Sequence, residues 1–370
     1  MYSPYGEKKA TMNQLKALKR IEPRILVPLT LGIMFALGDE SSNPKGYIMQ
    51  GRESLIVKIV VFCVLFCALF RTMDILIHRI YAAKDRSCER HCSGFFEYGY
   101  AIKPWLKNAA IIATCWLPYE FWLFPGVYWS DTSKQLLIHY GAERFTDHHP
   151  FTLTYIFGWF ADFGQRVFHN PIYGLYLLIA IQLIAAPLVF SWMLLYTRKM
   201  GIPQWLCHVE LAFFALFPFF PVMFSSLAKD TISVLFFIPF CILFIDGIRT
   251  KGTSLVRPGT IIALTLCGLL TCLTKKAGMY VIIPSMLLMF LIAGVSKKAK
   301  TIAFAIGTAI AVVMIIIIPK TVMPTLGIAP GGKQETIPFA IQQVAHDVKY
   351  NNKDITPQER KLISEDRKST

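Results

Sequence analysis

The sequence predicts an all-α, polytopic membrane protein with about nine transmembrane helices. Three observations carry that prediction. Of 370 residues, 54% are hydrophobic, and the mean hydropathy is +0.48. Charged residues make up 16%, against roughly 25% in a soluble globular chain, too few to cover one or two water-facing domains. Apolar runs of membrane length alternate with short basic clusters. There is no repeat, heptad or polar bias, which excludes collagen, coiled coil and intrinsic disorder.

The elements follow in chain order. Residues 1–24 form a basic cytoplasmic tail with Lys8, Lys9, Lys16, Lys19, Arg20 and Arg24. No cleavable signal follows, so the first apolar run is expected to stay attached. A span takes about 20 residues. The spans are predicted at 24–38, 54–71, 107–125, 172–196, 207–225, 231–247, 260–274, 279–295 and 301–319, a membrane domain covering 25–319. With the N-terminus in the cytoplasm, the short inner loops hold 21 Lys and Arg against eight in the outer loops. That is the positive-inside asymmetry, and it puts the C-terminus outside. It also accounts for the net charge of +15 without nucleic acid.

Residues 126–171 are then one large outer loop. Within it, 150–163 is too short to span. Phe151, Tyr155 and Trp159 recur every four residues, which predicts a helix lying in the membrane interface. Residues 320–370 form an outer helical segment, expected to belong to an incomplete extracytoplasmic domain. Pro338 opens a helix with Ile341, Val344, Ala345 and Val348 on one stripe. Thr356-Pro357-Gln358-Glu359 is a capping box with proline at the first helical position.

Seven of the nine cysteines lie in or beside apolar runs, where cysteine behaves as a small hydrophobe. Cys88 and Cys92 flank His91, but a zinc site needs about four ligands and no second half is present in the sequence. Walker, GxGxxG, HExxH and GxSxG motifs are also missing, so nucleotide-driven transport, dinucleotide chemistry, zincin proteolysis and hydrolase-elbow catalysis lack their signatures.

Chemistry-bearing residues gather in the outer loops. Asp131, Gln135 and His139 are four apart, on one face of a helix starting near Ser130. Asp131 can cap that helix or act as a general base beside the aromatic pair Tyr128-Trp129. In Asp147-His148-His149-Pro150, the proline belongs to a first helical turn, which leaves His149 at a capping position that histidine does not favour. This cluster can bind phosphate, a sugar hydroxyl or a divalent metal, or be a polar turn. Lys229-Asp230 and Lys275-Lys276 place three cations and a carboxylate at outer turns, suited to a lipid phosphate or to snorkelling.

The ordered set PG-x3-SD-x3-Q (125–135), HHP (148–150), S-x2-KD (226–230), KKAGMY (275–280) and the stretch 337–359 resembles a group of bacterial polytopic membrane proteins related to the GT-C glycosyltransferases. Those are multispan enzymes that use polyprenyl-phosphate-linked sugars. The resemblance implies sugar transfer at the outer membrane face from a lipid-linked donor to an envelope glycan, lipid or protein acceptor. In that reading Asp131 is the catalytic base. Lys229, Lys275 and Lys276 hold the donor phosphate, and Gln135, Asp147, His148, His149 and Asp230 line the substrate region. A lipid or small-molecule transporter and a non-catalytic envelope assembly factor are the alternatives. A transporter would place ionisable groups near the bilayer midplane or in repeated halves, whereas here they gather at one face.

Overall fold

The computed structural model describes residues 23–42, 52–84, 102–331, 344–345, 348–349 and 355–366. Cys88, His91 and Cys92, the basic tail before Pro23, and the start at Pro338 of the helix expected there lie outside the described residues. The chain divides into two units, residues 1–90 with 342–370, and residues 91–341.

In the first unit, α1 (Pro23–Ser42) pairs with α2 (Arg52–Lys84). The pairing needs a small residue at the crossing: a Cβ on Gly32 would lie 2.6 Å from the Cys63 backbone. Phe35 packs against Phe62 with ring centroids 4.9 Å apart and the rings tilted by 59°, and Lys58 reaches Asp39 at 3.0 Å. The capping box near the C-terminus forms as expected. The Thr356 N–H donates to Glu359 Oε2 at 2.9 Å, and the Glu359 N–H donates to Thr356 Oγ1 at 3.3 Å.

The second unit holds α3 (Ile102–Leu123), β1 (Val127–Tyr128), α4 (Ser130–His139), α5 (Phe151–Phe168), α6 (Pro171–Lys199), α7 (Gln204–Leu216), α8 (Phe219–Phe224), β2 (Ser226–Leu227), α9 (Lys229–Arg249), α10 (Pro258–Thr274), α11 (Met279–Leu288) and α12 (Lys297–Ala311). From Val312 to Val322 the last helix widens to π winding around Pro319, whose ring does not fit an α-helical ladder. One apolar core joins α3, α6, α7 and α8 through Trp116, Phe190, Phe214 and Phe224. Another joins α9 to α12 through Phe240, Leu264, Ile282 and Ile306.

This is a helical membrane protein. Among the described residues four helices are long and apolar enough to cross a bilayer: Ser54–Leu76, Pro171–Lys199, Lys229–Arg249 and Lys297–Thr325. Their outer surfaces stay apolar, as at Ile184 and Ile315, which are 66% and 59% exposed. Such faces are stable against lipid and costly in water.

Several expected spans are shorter or differently built. Ile25–Asp39, Pro258–Thr274 and Lys276–Leu291 are apolar helices below that length. The 22-residue α3 carries Lys103, Lys107 and Glu120 and is not among the four. The expected single span 207–225 is broken in two. Phe217 precedes Pro218 and is extended, with φ −74° and ψ 116°, because a proline ring disfavours helical backbone at the residue before it.

Helix α5 is two-faced and runs to Phe168, five residues beyond the expected end. Leu153, Phe157 and Ala161 are fully buried, and of the expected stripe Tyr155 and Trp159 face outward while Phe151 packs against the Ile318 and Met323 cluster. The helix packs on α6 at a glycine crossing, where a Cβ on Gly174 would overlap the Phe160 carbonyl and lie 2.7 Å from the Gly164 nitrogen. Both obstacles are backbone and cannot swing aside. Gly174→Ala is therefore expected to destabilise the protein by about 1–3 kcal/mol, the scale of overpacking. Thermal unfolding in detergent checks this, and an unchanged midpoint would mean that α5 and α6 do not cross there.

Candidate functional site

The site is assembled by a short parallel ladder. Val127 pairs with Ser226 and Tyr128 with Leu227, which draws the loop after α3 against the loop before α9. The turn into the ladder needs Gly126: its φ is +108°, and a Cβ there would overlap Ile179. Gln182, a buried amide within the apolar run of α6, donates to Phe224 O at 2.7 Å and to Ser226 O at 2.6 Å. Thr132 at the start of α4 donates to Leu227 O. Ser225 Oγ donates to Glu120 Oε2 at 3.1 Å. Gln182, Thr132 and Glu120 join this base although they lie outside the charged motifs of the sequence. The signal for Gln182 was present, since a lone amide in an apolar span requires internal partners.

On this base, three ion pairs and a histidine close a ring. Lys229 Nζ lies 2.7 Å from Asp131 Oδ2. The next residue, Asp230, pairs with Lys275. The residue after that lysine, Lys276, lies 2.9 Å from Asp147. Two residues beyond Asp147, His149 brings Nδ1 to 4.0 Å from Asp131 Oδ2, which completes the circuit. His148 packs edge-on against His149 with ring centroids 4.4 Å apart. A second link, Asp147 N–H to Ala329 O at 2.8 Å, ties the turn to the segment after the π-wound helix.

The individual roles differ from several expectations. Neither Ser130 nor Asp131 caps α4. The capping position is Trp129 and carries no side-chain bond, so Asp131 is left for Lys229. The hydrogen bond from Lys229, then the Lys229, His149 and His148 charges, outweigh partial burial and lower its pKa below the usual carboxylate value. Pro150, not His149, occupies the capping position of α5. At α9 the capping position is Ala228, without a side-chain bond, and Asp230 pairs with Lys275. The three lysines expected to hold a phosphate each face a carboxylate. An ammonium has three donors and each of these pairs uses one.

His149 is only 2% exposed, and neither ring nitrogen has a hydrogen-bond partner. Burial, reinforced by the His148 charge, lowers its pKa to about 4 against the opposing pull of Asp131. The ring is therefore neutral near pH 7 and offers one donor and one acceptor nitrogen.

Gln135 does not belong to the ring. It is 1% exposed, and its amide donates to Thr154 Oγ1 at 3.2 Å and to Pro150 O at 3.5 Å. One turn on, His139 meets Asp162 at 3.1 Å. The aligned face of α4 is thus largely a seam against α5: only its first member, Asp131, turns to the ring. Beside Asp147 and Lys276 lies a cavity of about 260 Å³ with apolar walls that include Phe151, Leu273, Met279, Met314 and Ile318. Among the described residues no three His, Cys, Asp or Glu side chains converge to hold a metal ion.

The fold and the ring define the class: a helical membrane protein with a cluster of charged turns joined by a two-residue ladder. The chain belongs to the family of unknown function DUF6020, which it matches over residues 137–365. The match takes in Asp147, His148, His149, Lys229, Asp230, Lys275 and Lys276, and begins after Asp131 and Gln135. No curated protein matches the chain, and no solved structure does.

Proposed function

We propose that this protein is a membrane glycosyltransferase that moves a sugar from a polyprenyl-phosphate donor to an envelope acceptor. The observation that carries the reading is the ring itself. It combines a carboxylate held ionised, a buried neutral histidine with two unused nitrogens, and three ammonium groups beside an apolar cavity. In the proposed reaction the acceptor hydroxyl attacks the anomeric carbon of the donor. Asp131 takes the hydroxyl proton. The bond from that carbon to the phosphate oxygen breaks, and the lipid phosphate leaves with the electron pair. Lys275 and Lys276 neutralise the leaving charge with donors not used on their carboxylates, and the cavity receives the first apolar units of the lipid. His149 orients the acceptor.

The proposal includes a topology of nine passes with a cytoplasmic N-terminus and the ring outside, supported by the loop charges. Single cysteines at Lys134 and Thr253, both exposed, are expected to react with a membrane-impermeant thiol reagent from opposite sides. Reaction from the same side would overturn that path.

The full-length protein in lipid nanodiscs, incubated with radiolabelled polyprenyl-phosphate sugar and crude envelope acceptor, tests the reaction. Covalent label in the acceptor is the expected result. In sealed vesicles, intact donor crossing the bilayer without transfer would replace the enzyme with a transporter. One observation favours a second reading: every lysine of the ring is matched by a carboxylate, an arrangement that also suits a non-catalytic assembly factor whose loops are pinned for docking. Neither transfer nor transport in the two assays would select it.

A further inference from the structure

A second charged pocket lies at the far end of the same helices. It encloses about 430 Å³ where α3 begins, α6 and α9 end, and α10 begins. Asp246 in its wall is 17 residues along α9 from Lys229, about 25 Å at 1.5 Å per residue. The pocket is therefore separate from the ring and stands independently of the glycosyltransferase reading.

Its lining pairs cations with aromatic and apolar surface. Lys199, Arg257 and the hydroxyl-bearing Ser254 and Thr260 face the same space as Trp105 and Trp192. Among the described residues Asp246 is the one carboxylate in that lining, and Lys199 engages it at 3.2 Å. Arg257 is an exposed residue whose side chain has no hydrogen bond or ion pair among the described residues. It precedes α10 but makes no side-chain cap bond, so the helix does not require it. A guanidinium fork beside an ammonium and two hydroxyls matches the several acceptor oxygens of a phosphate. Tryptophan and leucine walls next to that anion suit the glycerol and upper chain of an amphiphile at a membrane interface.

We infer that this pocket binds a phosphate-bearing anion through Arg257 and Lys199. The phosphate can belong to an anionic lipid headgroup or be free in solution, and one experiment separates the two sources. Full-length wild type and Arg257→Gln are placed in phosphatidylcholine nanodiscs. Each is measured with two probes: inorganic phosphate added to the buffer, and phosphatidylglycerol doped into the bilayer and read by native mass spectrometry. Wild type is expected to retain at least one probe with an affinity about tenfold or more above the variant, the scale of a lost charge-assisted hydrogen bond. Arg257→Lys, which keeps the charge, is expected to recover part of that difference. A difference confined to phosphatidylglycerol identifies a lipid headgroup; one confined to phosphate identifies a soluble anion. Equal retention of both probes by wild type and Arg257→Gln, at equal thermal stability, overturns the inference.

Discussion

Asp131→Asn is expected to lower the rate of sugar transfer by at least about 100-fold, the usual scale of one general base. The substitution keeps the shape of the side chain and removes its charge. A structural role for Asp131 predicts far less. Its side chain is 49% exposed and that of Lys229 is 28% exposed, so the pair stabilises the fold by no more than about 1 kcal/mol. Asp131 also caps nothing, so asparagine loses no cap bond. A companion variant separates base from ornament. Lys229 holds the Asp131 pKa down, so Lys229→Met lets it rise. The acid limb of the pH–rate profile should then move to higher pH, because protonated Asp131 cannot accept the acceptor proton. Initial rates at equal expression, across a pH series, check both effects. Wild-type rates in Asp131→Asn would remove this carboxylate from the mechanism and leave Asp147 and Asp230 as the remaining acids of the ring.

His149 should impose a pH dependence on stability. Its pKa is about 4 in the folded protein and about 6.5 in the unfolded chain. Above pH 6.5 both states hold the ring neutral, and it contributes no pH dependence. As pH falls from 6.5 toward 4, the unfolded chain takes up a proton that the folded chain refuses, so stability is lost. The full loss, reached below the folded pKa, is about 3 kcal/mol at 1.36 kcal/mol per unit. Asp131, whose own pKa is lowered from 3.8, adds its own loss only as the pH nears that value, and wild type and variant both carry it. His149→Phe replaces the ring by one of similar size that does not titrate. Near pH 7.5 the variant should unfold close to wild type. Its advantage should grow steadily as the pH is lowered to 4.5, while its transfer activity falls. Parallel unfolding midpoints for the two proteins across that range would mean that His149 is not held neutral.

The residues of the ring were all legible in the sequence; their relations to one another were not. Asp131, Asp147, His149, Lys229, Asp230, Lys275 and Lys276 stand out because charge at the ends of apolar runs is rare and needs a reason. Which carboxylate meets which lysine depends on contacts across 98 residues for Asp131 with Lys229 and 45 for Asp230 with Lys275, and no local pattern encodes those. Gln135 shows the opposite error. Its spacing from Asp131 placed it on the functional face, and the helix period was right, but the face turns into α5 after its first residue.

The sequence by itself determined the helical membrane class, the outward Tyr155 and Trp159 of α5 and the capping box at Thr356. All three follow from composition or from spacing within one element, where the physics is local: transfer to lipid, helical period and end-group hydrogen bonding. Tertiary structure alone decided the β1–β2 ladder and the pairing of every ring lysine. The ladder has only two residues on each side, too short for a strand pattern, and exists because Gly126 permits the turn and Gln182 binds the backbone carbonyls of the facing segment. Once that ladder joins the two loops, Asp131 and Lys229 face each other in a partly desolvated space, where opposite charges attract more strongly than in water and a bare lysine would be costly.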